Sequence, residues 1–155
     1  MNSPYLYEAP ISNILREKLD IPPKTKIAIY QGGLAKGRGI ELIIETFANR
    51  KDDHLVLVVM GNGPLSQYIY DKVKVNKNIY IIDAVPPNEV LDYTASADFG
   101  IHMIENTCLN HYFCLPNKFF EYSMSGLPVI VSNMKDMAML VNEFDSGYVT
   151  ENCTI

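Results

Sequence analysis

The sequence predicts a doubly wound α/β domain built on a parallel sheet, and three observations carry that prediction. From about residue 26 to 150, short apolar runs alternate with segments of helical length, the pattern of repeated strand–helix units. The run Leu55-Val56-Leu57-Val58-Val59-Met60 is apolar at every position, as expected of a strand covered by helices on both faces. Glycines 32, 33, 37 and 39, and then 61 and 63, punctuate the turns after the first two runs. Such repeats imply right-handed crossovers and helices on both faces of the sheet.

The elements follow in order. Lys26 to Tyr30 reads as the first strand, and the glycine turn leads into a helix from Ile40 to Asn49. Leu55 to Met60 is the second strand; Gly61-Asn62-Gly63-Pro64 turns into a helix running to about Val73. Ile79 to Ile82 is the third strand, and Pro86 or Pro87 opens a helix through Ala95, since proline suits a first helical turn. Asp98 to Met103 is the fourth strand, with Asp98 at its edge. A loop at 105–116 precedes a short helix from Asn117, then Gly126-Leu127-Pro128 turns into the strand Val129-Ile130-Val131. Asp136 to Asn142 reads as a helix whose methionines (134, 137, 139) belong in the core, and Gly147-Tyr148-Val149 as a last strand. Residues 1–24 hold several prolines and one helical piece, Ile11 to Lys18; they read as a linker from something upstream, with the domain proper at 25–155. The abrupt end after a strand suggests an excised domain.

Composition narrows the function. The chain has 155 residues, enough for one well-cored domain, and a net charge of -5, which argues against nucleic acid. Three cysteines without CxxC spacing fit a reducing, cytoplasmic setting and give no zinc signature. His54, His102 and His111 are scattered without metal-ligand spacing, so no metal site is expected. No apolar run approaches the roughly 18–20 residues that span a bilayer, and the N-terminus lacks signal-peptide patterning.

In a parallel α/β sheet, ligands sit at the carboxyl ends of the strands. The turn at 32–39, the Gly61 turn and the loop at 105–116 all fall on that edge. Gly32 and Gly33 would let backbone amides approach a phosphate, and Arg38 could clamp a diphosphate. The turn is neither a Walker loop nor a GxGxxG fingerprint, and read alone it is also compatible with a plain turn. The same holds for Gly61-Asn62-Gly63-Pro64. The stretch from Leu115 to Val131 says more. Asn117, Glu121 and Ser125 recur every four residues and so share one helix face. A helix start at Pro116-Asn117-Lys118 and a carboxylate one turn further in can hold an anion and a sugar hydroxyl together. Lys118 reads either as a solvated surface lysine or as a phosphate ligand. Cys108, His111 and Cys114 show no nucleophile geometry, and lone thiols are usually structural.

Together these pieces resemble the donor-binding half of a GT-B glycosyltransferase of the retaining family 4 (group 1) type, a Rossmann-like fold. The resemblance is carried by Tyr30-Gln31-Gly32-Gly33 with Arg38-Gly39-Ile40-Glu41, by Val59-Met60-Gly61-Asn62-Gly63-Pro64, by Val85-Pro86 with Tyr93-Thr94-Ala95-Ser96-Ala97-Asp98, and by Leu115-Pro116-Asn117-Lys118 with Glu121-Tyr122 and Gly126-Leu127-Pro128-Val129. It implies a nucleotide-diphosphate sugar as donor substrate, with no separate cofactor. It places Arg38 on the diphosphate, Glu121 on the ribose hydroxyls as the second glutamate of an E-x7-E motif, and the amides around Pro116, Asn117 and Lys118 on the distal phosphate. Ala84 and Val85, after Asp83, would lie along the base. The chain departs from the pattern at Phe113, where the first glutamate would fall, and at Asp83, where glycine is common. The resemblance further implies an N-terminal domain that brings a glycan or lipid-linked acceptor, and leaves room for peripheral membrane association of the full-length protein. A nucleotide-sugar epimerase of the same fold and a non-catalytic nucleotide-sugar-binding module are the alternatives.

Overall fold

The computed structural model describes residues 9–50 and 54–150. Its order is α1 (Ile14–Leu19), β1 (Lys26–Gln31), α2 (Ile40–Ala48), β2 (Leu55–Met60), α3 (Ser66–Val75), β3 (Ile79–Ile82), α4 (Val90–Thr94), β4 (Phe99–His102), α5 (Leu109–Tyr112), α6 (Asn117–Met124), β5 (Val129–Ser132), α7 (Lys135–Glu143) and β6 (Gly147–Thr150). The six strands form one parallel sheet in the order β3-β2-β1-β4-β5-β6. The chain winds outward from β1 through β2 to β3, then returns to the centre and winds the other way. The order therefore reverses between β1 and β4, and a crevice opens there at the carboxyl edge.

The alternation of side chains along β1 splits the core into two layers. Ile27 and Ile29 join Leu15, Phe119, Tyr122, Met137 and Val141 beneath α1, α6 and α7. Ala28 and Tyr30 point the other way and meet Ile40, Ile44, Phe47 and Ile69 from α2 and α3. Tyr122 of α6 sits under the reversal point. Its hydroxyl accepts the Gln31 N–H at 3.2 Å and lies 3.3 Å from the Ile29 and Ile101 carbonyls.

The structure departs from the sequence expectation in several places. The segment read as a linker contributes Leu15 and Ile21 to the core, and Arg16 of α1 pairs with Asp98 at 2.9 Å. α1 starts three residues later than its pattern implies because Ile11 is fully exposed, and it ends at Asp20 in the left-handed region. α4 begins at Val90, well after Pro86 and Pro87. A residue preceding proline avoids the helical region, so Pro86 to Glu89 form a turn closed by Glu89 N–H to the Pro86 carbonyl at 2.9 Å. The one-turn helix α5 stands inside what reads as a loop. Met134 and Met137 are buried, but Met139 is exposed, since two residues along a helix turn a side chain to the opposite side. Residues 1–8 of the segment read as a linker, and 151–155 of the domain read at 25–155, lie outside the described residues.

Candidate functional site

All eleven residues singled out in the sequence (Gly32, Gly33, Arg38, Gly61, Asn62, Ala84, Val85, Pro116, Asn117, Lys118 and Glu121) line one cavity at the carboxyl edge of the sheet, with a volume of about 440 Å³. That is within the usual size of a small-molecule site, roughly 300–1,000 Å³. Gln31, Met60 and Val90 complete its wall. The strands deliver these residues by their ends: β1 stops at Gln31, β2 at Met60 and β3 at Ile82, two residues before Ala84.

Two glycines make the edge possible. A Cβ on Gly61, whose φ is +151°, would stand 2.0 Å from the Gly32 carbonyl oxygen, so the turns after β1 and β2 touch through backbone. A Cβ on Gly39 (φ +67°) would collide with the Met103 carbonyl at 1.6 Å. The start of α2 is thereby pressed against the end of β4, which places neighbouring Arg38 on the cavity wall.

α6 supplies the opposite wall. Pro116 is extended (φ -73°, ψ 150°), and no side chain caps the helix. First-turn amides of a helix lack intrahelical acceptors and attract anions. Lys118 lies in that turn. It is buried, its ammonium sits 4.0 Å from the centre of the Tyr30 ring, and it has no hydrogen-bond partner. Burial, reinforced by Arg38 and opposed by Glu121, pulls its pKa down to about 7. The Tyr30 hydroxyl donates to the Gly33 carbonyl at 3.1 Å, and burial pushes that phenol up to about 12. His102, at the end of β4, is fully buried with neither ring nitrogen partnered. Burial first, then the positive charge of Lys118, Arg38 and His111, hold its pKa down at about 3, so the imidazole is neutral at ordinary pH. Glu121, one turn after Asn117, receives the Gln31 side-chain amide at 2.6 Å, and Gln31 is in turn met by the Thr94 hydroxyl at 2.6 Å.

The arrangement combines cationic groups and a helix start with an acceptor carboxylate one turn away. It can therefore grip an anion and a neighbouring hydroxyl at once. Lys118 belongs to the buried wall, not to a solvated helix face. Ser125 is not part of the site: its hydroxyl donates to the Leu91 carbonyl at 3.3 Å and fastens α6 to α4. Phe113 stands apart from the lining, partly exposed, edge-on to Tyr112 and under the Lys135 ammonium. Asp83 is exposed and accepts the Tyr70 hydroxyl at 3.2 Å. Among the described residues no group of His, Cys, Asp or Glu side chains could hold a metal ion, and no helix is long and apolar enough to cross a membrane. Gln31 and His102 were not singled out from the sequence. In the sequence Gln31 stands only as part of the Tyr30-Gln31-Gly32-Gly33 stretch, with no role of its own.

The sequence pattern of the family described as "Glycosyl transferases group 1" matches residues 12–155. The chain belongs to that family. Its Rossmann-like sheet is the fold of one half of a GT-B glycosyltransferase. The family match gives no support to the epimerase alternative. The chain is 25% identical over 147 residues to D-inositol 3-phosphate glycosyltransferase of Corynebacterium glutamicum (strain R), covering 88% of this chain and 34% of that protein. It is 35% identical over 49 residues to the putative colanic acid biosynthesis glycosyl transferase WcaI of Escherichia coli (strain K12), covering 32% of this chain and 12% of that protein. It thus spans about a third or less of the length of these curated relatives. Among solved structures, Anabaena Alr3699/HepE in complex with UDP superposes with a TM-score of 0.71 at 13% identity, over 89% of this chain and 38% of that one. WaaG, a glycosyltransferase involved in lipopolysaccharide biosynthesis, superposes with a TM-score of 0.66 at 21% identity, over 88% of this chain and 36% of that one. The C-terminal domain of LpcC from Francisella tularensis gives 0.66 at 19% identity, over 96% of this chain and 78% of that one.

Proposed function

We propose that this domain binds the nucleotide-diphosphate portion of a sugar donor across the reversal between β1 and β4. As part of a longer protein it would serve retaining transfer of the sugar to a glycan or lipid-linked acceptor. The observation that carries the reading is the pairing on α6 of a buried, unpartnered ammonium, Lys118, with the Glu121 carboxylate facing the same cavity. The diphosphate takes Arg38, Lys118 and the helix start; the ribose hydroxyls donate to Glu121; the base lies against Ala84 and Val85. Positive charge fixed beforehand stabilises the diphosphate as it departs, the task a divalent cation performs in other transferases. The complex of HepE with UDP, on the same fold, supports uridine nucleotides as the first donors to try.

Transfer also needs the acceptor held against the donor with water excluded. The reading therefore assigns the acceptor to a separate N-terminal domain and expects the 155-residue chain to bind donor without turnover. Calorimetric titration with UDP, GDP, ADP and CDP tests the site. Glu121→Ala should lose about 1.5–3 kcal/mol for the nucleotide that binds best, roughly 10- to 150-fold; unchanged affinity would sink the assignment. Product formation from labelled nucleotide sugars, with the chain beside its full-length protein, tests the division of labour. Robust transfer by the short chain would refute it, and binding without turnover by the full-length protein would favour a non-catalytic module.

A further inference from the structure

Glu121 is half-buried on the cavity side of α6; a carboxylate free there would sample several rotamers, yet one of its oxygens is tied down from the sheet. Gln31 is the last residue of β1 and only 3% exposed. Its amide nitrogen donates to Glu121 Oε2 at 2.6 Å, and its amide oxygen lies 2.6 Å from the hydroxyl of Thr94, which is fully buried. The direction of this chain is determined by chemistry. An ionised carboxylate only accepts, so the NH₂ end of Gln31 must face Glu121 and the oxygen must face Thr94. Thr94 is then the donor, sharing its single proton between Gln31 and the Val90 carbonyl at 2.6 Å. A main-chain bond from the Gln31 N–H to the Tyr122 hydroxyl anchors the backbone of the same residue.

We infer that Gln31 is the positioning residue of this site: it fixes the Glu121 carboxylate through one oxygen so that the other is presented to the ribose hydroxyls, with Thr94 fixing Gln31 in turn. This rests on the reading that Glu121 takes the ribose. Gln31 contributes no charge, and no bond to the ligand is required of it. Its work is to remove the rotamer freedom that Glu121 would otherwise lose on binding. The consequence is specific. Loss of Gln31 blunts discrimination between ribose and a sugar lacking its hydroxyls, while the phosphate grip of Arg38, Lys118 and the helix start persists.

The test uses whichever of UDP, GDP, ADP and CDP binds the parent domain best, its 2′,3′-dideoxy analogue, and inorganic pyrophosphate, all titrated calorimetrically. The parent should prefer the ribonucleotide by at least about tenfold, the worth of a hydrogen bond to a charged group. Gln31→Met, similar in shape but without a donor, should shrink that preference to about threefold or less and leave pyrophosphate affinity unchanged. Thr94→Val, which removes only the hydroxyl, should fall between the two and carries the test by itself if Gln31→Met does not fold. Retention of the full preference in both variants overturns the inference, as does a loss of pyrophosphate affinity that parallels the loss of preference. A parent without any preference for the hydroxyls, or one that binds none of the four nucleotides, overturns the ribose reading and this inference with it. Loss of preference in Glu121→Ala but not in Gln31→Met or Thr94→Val overturns the positioning role alone.

Discussion

The two edges of the sheet treat charge in opposite ways. At the amino edge, Asp98 enters β4 and gathers three donors: Arg16 at 2.9 Å, Lys26 at 2.7 Å and the Ile27 N–H at 2.8 Å. Burial pushes its carboxyl up, but Lys26, the Ile27 amide and Arg16 together hold it below the usual carboxylate range. At the carboxyl edge, Lys118 is buried without an acceptor, Arg38 faces it, and His102 behind them is neutral and unpartnered. The first cluster is satisfied within the chain and ties α1, β1 and β4 together. The second holds Lys118 and Arg38 on one cavity wall, and among the described residues no hydrogen-bond acceptor meets the Lys118 ammonium, an arrangement that destabilises the domain until an anion arrives. Buried charge is a sign of function where its partners are missing, not merely where it is buried.

Three substitutions sharpen or break this contrast. The largest effect is expected at the amino edge. Asp98→Ala removes the carboxylate shared by Arg16, Lys26 and the Ile27 N–H, leaves Arg16 only the Pro22 and Thr25 carbonyls, and should lower stability by about 1.5–3 kcal/mol, read as a reduced urea midpoint. Diphosphate affinity of the folded variant should stay within about twofold of the parent. A comparable loss of affinity would mean that the two edges are coupled and the contrast is false.

Next comes Arg38→Ala, which should weaken a nucleoside diphosphate by about 10- to 100-fold and the bare nucleoside by less than about twofold. Equal weakening of both ligands would reduce Arg38 to a support of the β1–α2 turn.

The smallest and most diagnostic effect is the pH dependence carried by Lys118. Its pKa in the ligand-free domain is about 7, against 10.5 for an ordinary lysine. An anion on the site favours the ammonium, so binding takes up a proton above about pH 7. Affinity for a nucleotide sugar should then fall as pH rises past 7, by at most about tenfold per unit. Of the groups facing Lys118, Tyr30 titrates only near 12 and His102 only near 3, so neither contributes in that window. Lys118→Met should flatten the decline. The sign for stability is opposite. Between pH 7 and 10.5 the unfolded chain binds a proton that the folded chain does not, so the ligand-free domain gains stability as pH rises through that window. Lys118→Met should remove this gain and be more stable than the parent at pH 6, measured by thermal melts. A parent whose affinity is flat from pH 7 to 9 would show that the ammonium makes no contact with the diphosphate.

The strands were the most readable part of the chain. Leu55–Met60 and Ile79–Ile82 carry the boundaries expected of them, because an apolar run between turn residues has few other uses in a parallel sheet. That the eleven residues lining the cavity would share one edge was legible in the sequence, because glycine turns and a proline-led helix start must lie where strands end. Their partners were not. A glutamine closing a strand and a lysine in a first helical turn are ordinarily solvated. Gln31 is buried because α4 and α6 close over it, and Lys118 because the Tyr30 ring offers a face to lie on. Neither fact has a local signal. α5, a single turn, is too short to show a period.

By itself, then, the sequence determined the alternation of strands and helices, the parallel sheet and the edge on which the glycine turns and the Pro116 helix start would meet, since these follow from local pattern and from the handedness of crossovers. Only the tertiary structure decided which side chains on that edge are satisfied and which are not. Whether Asp98 has its three donors, whether Lys118 lacks an acceptor and His102 a partner, and whether Gln31 holds Glu121 depend on groups brought together from far apart in the chain: Gln31 and Glu121 lie 90 residues apart, and Arg16 and Asp98 lie 82. Hydrogen bonding acts over about 3 Å, and no periodicity in the sequence encodes a distance of that kind.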